Sequence, residues 1–263
     1  MSQTSYDINS ADAKAGLVEG LNPSTIRSFN NPSDVVLFGH FVAKVSADDD
    51  GVQKPAVIGA DIKGVAVQDL AQPDGQFDAN SAVPVLSRGE IWVPAEEAVA
   101  YGDTPHIRYS GKAQVQTFVL DAVLVTSNVI TVDVNGTTIS HTFATDNDTS
   151  MAAFAVKIAA HPDVATAVTS GSPIDTITIT ADSPDTDVAL TNEGITGGAS
   201  QAGITITETV ASVPNSSRGK LRNDTDSTTA LDASAYVKIL RYVAVSGLTG
   251  ATGLALVSVN ING

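Results

Sequence analysis

A sudden change in composition sets one internal segment apart from the rest of this chain. Between Ala113 and Val213 there is no Tyr or Trp, although five tyrosines and Trp92 occur elsewhere in the 263 residues. The same segment holds 19 threonines, and 11 acidic residues against one base, Lys157. Such a shift is typical of a domain inserted into another domain. The predicted parts are an N-terminal arm at 1–22, a discontinuous domain at 23–112 plus 214–263, and an insert at 113–213.

The discontinuous domain has the pattern of short β-strands. Val35–Val45 is almost continuously apolar and predicts a buried strand, with Gly39 at a bulge or a close backbone approach. His40, within that run, is interpreted as a packed residue rather than a ligand. Gly64–Pro94 predicts three short strands, because its apolar runs are bounded by Gly, Pro, Asp and Asn. The Ser87-Arg88-Gly89 sequence predicts a tight hairpin between the last two.

The insert has the pattern of a small α+β domain. Alternating residues around Asn135-Gly136 predict a two-residue hairpin that pairs Val132 with Ile139 and Ile130 with His141. A helix follows, because apolar residues recur at helical spacing from Met151, with Asp148 or Thr149 as its cap. Two later runs predict further strands. They are Ile174–Thr180 and Ile204–Val210. The predicted fold class is therefore mainly β, with a compact β-rich domain and an α+β insert.

Charge and composition exclude several classes of protein. The net charge of −15 has the wrong sign for binding nucleic acid, which we therefore do not expect as a partner. No apolar run is long enough to span a membrane, so we expect no membrane partner. Without cysteine, the chain has no disulfides, thiol nucleophiles or thiolate metal sites.

Motifs for catalysis or cofactor binding are missing from the sequence. There is no phosphate-binding loop, no nucleophile elbow and no pair of histidines at zinc spacing. Two acidic pairs begin like calcium loops, Asp146/Asp148 and Asp224/Asp226, but lack the later Gly and Glu. We therefore predict no catalytic residue, no cofactor and no metal, and interpret the chain as a protein that is not an enzyme.

Four short motifs, in their order along the chain, resemble those of the head decoration or structural cement proteins of tailed bacteriophages. They are Gly-Val-Ala-Val at 64–67, Ala-Val-Pro-Val-Leu-Ser-Arg-Gly at 82–89, Ile-Trp-Val-Pro at 91–94 and Gly-Asp at 102–103. The likeness extends to Val35–Val45, Gly219–Leu221 and the apolar C-terminal strand, and it leaves out the insert. The insert itself is similar to small α+β modules of phage tail and sheath proteins.

The resemblance implies a compact β-barrel or β-tulip-like fold that assembles as a homotrimer on the outer surface of the virion capsid. Its partner there would be the major capsid protein, whose neighbouring subunits it would clamp after head expansion. The insert would then project outward. This function needs a rigid scaffold and adhesive surfaces but no chemistry, in agreement with the missing catalytic motifs.

Two sets of residues are candidates for contacts. The arm, through Tyr6, Ile8, Leu17 and Leu21, is predicted to order against the capsid by adding an edge strand. Ile91, Trp92 and Val93 are predicted to lie at the trimer contact, because large apolar anchors concentrate binding energy. The alternative is that Trp92 is an ordinary core residue.

A second functional hypothesis places the activity in the insert, as a module that recognises a host-surface glycan. Glycan sites usually contain exposed aromatic rings. The insert has only Phe118, Phe143 and Phe154, and the last two fall on predicted apolar faces. This counts against the glycan hypothesis without removing it.

Overall fold

The computed structural model describes residues 13–19, 22–46, 48–198, 203–222, 229–245 and 251–261. The chain forms two compact units, 1–110 with 216–263, and 111–215. The predicted insert, 113–213, differs from the second unit by two residues at each end.

The elements in chain order are β1 Val18–Glu19, β2 Thr25–Asn31, β3 Val36–Leu37, β4 Phe41–Val45, β5 Asp48–Gln53, β6 Ile62–Ala66, β7 Gln76–Phe77, β8 Ser81–Ala95, β9 His106–Arg108, β10 Val115–Leu120, β11 Val129–Val134, β12 Thr137–Thr142, α1 Asn147–Ala159, β13 Val164–Gly171, β14 Ile174–Ala181, β15 Leu190–Thr196, β16 Ile204–Val210, β17 Leu221–Arg222, β18 Ala230–Asp232, β19 Val237–Ala244 and β20 Gly253–Asn260.

Five strands of the first unit close into a ring. β8 pairs with β2, β2 with β5, β5 with β4, β4 with β6, and β6 returns to β8. Phe41 and Ala43 of β4 belong to one buried apolar cluster, whereas Val42 belongs to another. Because both faces of such strands are buried, their sequences are apolar at consecutive positions. The predicted mainly β class and barrel-like first domain are confirmed.

β8 is a single strand of 15 residues, so the predicted Ser87-Arg88-Gly89 hairpin is wrong. Its first half pairs with β2, where Leu86 lies opposite Ile26. Its second half pairs with β20, where Gly89 lies opposite Val259. Gly89 has φ +135 and lies beside a register shift in the β2 ladder, so the chain bends there without reversing.

The second half of β8 organises the rest of this unit. β20 and β19 continue the sheet on one side, and β17, β9 and β18 continue it on the other. β17 lies parallel to β8, with Leu221 opposite Ala95. β17 follows the insert, and it pairs with β8 and β9, which precede the insert. The first unit is therefore discontinuous in sequence.

The predicted strand at Val35–Val45 is broken into β3 and β4 by Phe38, Gly39 and His40. Gly39 has φ +75, and a Cβ there would lie 2.7 Å from the Gly16 nitrogen, so the predicted close approach is confirmed. His40 is only 3% exposed, and its Nδ1 donates to the Arg218 carbonyl at 2.8 Å. It is a packed residue, as predicted.

Burial, together with the nearby Lys220 and Lys54 charges, lowers the pKa of His40 from 6.5 to about 3, although the hydrogen bond to the Arg218 carbonyl opposes this shift. Folded His40 stays neutral where the unfolded chain binds a proton, so the free energy of unfolding should fall as pH drops from 6.5 towards 3. Between pH 7 and pH 5 we expect a loss of about 2 kcal/mol from this group. Urea unfolding at both pH values measures it. His40→Asn keeps a donor near Nδ1 but cannot titrate, and an equal loss in this variant would contradict the assignment.

The second unit contains a four-stranded sheet, β13-β14-β10-β16, a three-stranded sheet, β12-β11-β15, and α1. The predicted hairpin pairs, Val132 with Ile139 and Ile130 with His141, are confirmed. The helix cap is Asp146, not Asp148 or Thr149, because the Asp146 side chain accepts the Thr149 backbone N–H at 2.7 Å. α1 buries Met151, Phe154 and Ile158 between the sheets, in the cluster that also contains Phe118.

A buried ion cluster joins three strands of the first unit. The carboxylate of Glu96, directly after β8, accepts from Arg108 of β9 at 2.5 and 2.7 Å. Arg222 of β17 places its Nε 3.3 Å from the same carboxylate. Arg108 is 1% exposed and Arg222 7% exposed. The return strand from the insert is therefore tied to β8 and β9 by ionic as well as backbone bonds.

Candidate functional site

In the part of the chain that the structure describes, no three His, Asp or Glu side chains lie close enough to hold a metal ion. Of the acidic pairs that resemble calcium loops, Asp146 caps α1 and Asp148 accepts the Ile174 backbone N–H at 2.8 Å. Asp224 and Asp226 lie outside the described residues. No helix in the described residues is long and apolar enough to cross a membrane.

The base of the arm, residues 13–19, is held on the first unit by several backbone hydrogen bonds. Gly16 donates to the Trp92 carbonyl at 2.8 Å, and Trp92 donates to the Leu17 carbonyl at 3.0 Å. Gln68 donates to the Gly16 carbonyl at 2.8 Å. β1 then continues along β8, with Val18 opposite Ile91. The arm base is thus paired along β8 of its own unit.

Side chains reinforce this edge around the indole of Trp92. The indole N–H donates to Glu19. The Arg241 guanidinium lies 4.8 Å from the Trp92 ring centre, in cation–π geometry, and 3.6 Å from Glu19. Leu17 packs on the apolar cluster of Trp92, Leu254 and Leu256. As a result, Trp92 is only 2% exposed.

The predicted contact residues fall in different places. Leu17 packs against its own chain, whereas Tyr6, Ile8 and Leu21 lie outside the described residues. Ile91, Trp92 and Val93 are adjacent on β8 and are 0%, 2% and 0% exposed. Their burial agrees with the alternative that Trp92 is a core residue. Their role in a trimer contact stays a prediction.

The arm base depends on two glycines whose backbones touch. A Cβ on Gly39 would lie 2.7 Å from the Gly16 nitrogen and 2.9 Å from the Trp92 oxygen. We expect Gly39→Ala to push the arm base off β8, with a red-shifted emission of the single Trp92 and faster proteolysis before residue 20. Gly59→Ala is the matched control, because Gly59 has a similar φ of +78 but nothing within 4 Å. The backbone conformation alone costs about 1–2 kcal/mol in both variants, so equal emission spectra would contradict crowding at Gly39.

A cavity of about 530 Å³ adjoins the arm base. Its lining includes Lys14, Ala15, His40 and Lys220. Lys220 is 5% exposed, its Nζ lies 3.2 Å from Ser217 Oγ, and burial lowers its pKa. Among the described residues of the lining, Asp74 is the one acidic residue. In a chain of net charge −15, this cavity is suited to an acidic or hydrogen-bonding group of a partner.

Sequence analysis missed three exposed apolar loop tips on the first unit. Val57 and Ile58 are 61% and 64% exposed, Leu70 is 89% exposed and Tyr101 is 82% exposed. Exposed apolar side chains of this size are candidates for partner contacts. The sequence signal was present, since each lies beside Gly, Pro or Asp in a loop between predicted strands.

The three aromatic rings of the insert pack against its own core, Phe143 only partly. Phe118 and Phe154 are 0% exposed, and their rings pack edge to face at 5.8 Å. Phe143 packs against the same cluster. Residues 199–202, which the structure does not describe, contain no aromatic residue either.

Comparison with known proteins identifies the family. A family model described as "Structural cement protein (E217 gp24/Pam3 gp6)" matches residues 2–153, more than half of the chain. The chain belongs to this structural cement family. Among solved structures, the cement protein is similar to "The capsid of Myoviridae Phage XM1", at 12% identity and a TM-score of 0.44, over 99% of this chain and 98% of that chain. No curated protein matches it.

The family match confirms the predicted resemblance but corrects its extent. We expected the likeness to cover the first domain, including Gly219–Leu221 and the C-terminal strand, and to leave out the insert. The match instead continues through β10, β11 and β12 into α1, and it ends before the second part of the first domain. The cement protein is a structural component of a phage virion at the capsid surface, and its family is not a class of enzymes.

Proposed function

We propose that the cement protein binds the outer surface of the phage capsid and stabilises the expanded head by clamping neighbouring subunits of the major capsid protein. The match to the structural cement family over residues 2–153 carries this proposal. The closed barrel and the buried Glu96 cluster support it, because a clamp must be rigid to transmit force between its contacts. The net charge of −15 keeps the protein from competing for DNA.

The arm provides one contact. Its base, residues 13–19, is fixed on β8 by paired backbone hydrogen bonds, beside the cavity that Lys14 and Lys220 line. Residues 1–12 include the predicted contact residues Tyr6 and Ile8. We propose that they pair with an exposed strand edge of the capsid protein, while the cavity takes a polar or acidic side chain from the same surface. Leu21 belongs to the same proposed contact.

The protein acts as a homotrimer in this proposal. Ile91, Trp92 and Val93 are buried within the chain. We propose that they hold the arm base and that the contacts between copies lie in the surface around them. The insert is proposed to project away from the head. Cryo-electron microscopy of heads saturated with the protein tests these points. Clusters of three copies on the outer surface are the expected result, and isolated single copies would contradict the trimer.

A further inference from the structure

The four-stranded sheet of the second unit has two faces of different character. Its inner face packs on α1 and includes Phe118, Ile177 and Ile179, all nearly inaccessible to solvent. Its outer face is partly or fully exposed at every position. The outer positions are eight threonines, one serine and three valines, with no charged residue. They are Val115, Thr117, Val119, Thr166, Val168, Ser170, Thr176, Thr178, Thr180, Thr205, Thr207 and Thr209. We call this surface the threonine face.

The strand register arranges these side chains in rows. One row runs Val168, Thr178, Thr117, Thr207 across the four strands. The next runs Ser170, Thr176, Val119, Thr205. Neighbouring strands are about 4.8 Å apart, and alternate residues along a strand about 6.8 Å apart. The threonine face is therefore a regular array of hydroxyl and methyl groups.

Composition alone does not explain this array. Threonine makes up 19 of the 101 residues at 113–213 but eight of the twelve positions on the face. The three-stranded sheet of the same unit has a different outer surface. There Asp133 carries a charge and accepts from the Asn192 amide at 2.7 Å. Two sheets built from the same Thr-rich segment thus present different chemistry.

Some of the hydroxyls of the threonine face are available to a ligand. Thr117 and Thr209 donate to strand carbonyls at 3.3 and 3.1 Å, and Thr176 donates to the Asp175 carboxylate at 2.9 Å. Thr178, Thr205 and Thr207 make no side-chain hydrogen bond to the part of the chain that the structure describes. Each hydroxyl can both donate and accept, which suits a partner whose own groups are hydroxyls.

We propose that the threonine face binds a neutral polysaccharide. The twelve side chains of the face carry no charge, and the Asp175 carboxylate beside Thr176 and the net charge of −10 at 113–213 repel anionic polymers. Three strand spacings by five residue steps give roughly 250 Å², about a third of the ~800 Å² per partner in a stable protein complex. Trp, Tyr and Arg, the usual anchors of protein interfaces, are missing from it.

Weak binding at each face would be strengthened by repetition. Many copies on one capsid would engage one long polymer, which raises overall affinity by about 10² to 10⁴ without new contacts. This step rests on the proposed function, because it needs the protein to be displayed on the virion. The contact between a single threonine face and the polysaccharide does not depend on the proposed function.

The test uses the full chain, biotinylated and loaded on streptavidin beads to supply several copies. The probes are fluorescent dextran, mannan and galactan, with dextran sulfate as the anionic comparison. We expect retention of at least one neutral polymer, and at least tenfold weaker retention by Thr178→Val/Thr207→Val, which removes hydroxyls and keeps shape and strand preference. Thr137→Val/Thr142→Val, at exposed positions on β12, is the matched control and should retain the polymer fully.

Retention of none of the neutral polymers, equal retention by the face variant, or retention of dextran sulfate alone would overturn the proposal. Thermal unfolding of each variant checks that the fold is unchanged. Head binding is measured separately with the same proteins. The face variant should saturate heads like the unmodified chain, because the face is not proposed to touch the capsid. If the unmodified chain fails to bind heads, that result counts against the cement function and not against the threonine face.

Discussion

Replacing Glu96 with Gln should lower the free energy of unfolding by about 3–5 kcal/mol, the usual cost of breaking a buried ion pair. The change removes the negative charge shared by Arg108 and Arg222, which are 1% and 7% exposed. Uncompensated positive charge would then remain inside the sheet where β8, β9 and β17 meet. Urea unfolding at pH 7 gives the measurement.

Asp61→Asn provides the control for this experiment. Like Glu96, Asp61 pairs with a basic side chain, since it accepts from Lys63 at 2.7 Å, but the Asp61 side chain is 60% exposed. Exposed pairs contribute only about 0–1 kcal/mol. If Glu96→Gln and Asp61→Asn cost the same, the ion cluster would not be what ties the return strand to the barrel.

Removing residues 1–12 should weaken head binding by at least tenfold and leave the free protein's melting temperature unchanged. The reason is that the deletion keeps the arm base, whose backbone bonds to Trp92 begin at Gly16. It takes away Tyr6 and Ile8, the proposed strand contact. Titration of heads with the shortened chain, followed by sedimentation, measures the affinity. Unchanged affinity would remove the arm from the proposed function.

A longer deletion, of residues 1–19, distinguishes the arm from its base. It removes Leu17 and Glu19, which cover Trp92, and opens one side of the Lys220 cavity. Because Leu17 is only partly buried, its loss should cost less than the ~2–5 kcal/mol of a fully buried leucine. The Trp92 emission should shift to the red in this variant but not after deletion of residues 1–12. A red shift in both would show that the arm base extends further towards the N-terminus.

Local signals in the sequence were sufficient for some of the fold. The Asn135-Gly136 turn determines the hairpin by itself, so the pairs Val132 with Ile139 and Ile130 with His141 were predictable. Gly39 was also recognisable, because an isolated glycine in an apolar run indicates a close approach. The mainly β class followed from short apolar runs between turn residues.

Features that depend on distant partners were not predictable. Ser87-Arg88-Gly89 has the composition of a turn, but the strand continues because β2 and β20 supply partners from remote parts of the sequence. The burial of Trp92 likewise depends on Glu19 and Arg241, on opposite sides of it in sequence. The same limit applies to the candidate site, since Lys14 and Lys220 come together only in the folded barrel.

The cement function itself is tested most directly by adding the purified protein to mature heads that lack it, sedimenting the mixture and then heating the decorated heads. We predict saturable binding and a higher temperature of head disruption than for undecorated heads. Heads that fail to bind the protein, or that bind it and break at the same temperature as undecorated ones, would contradict the proposed clamping of neighbouring capsid subunits.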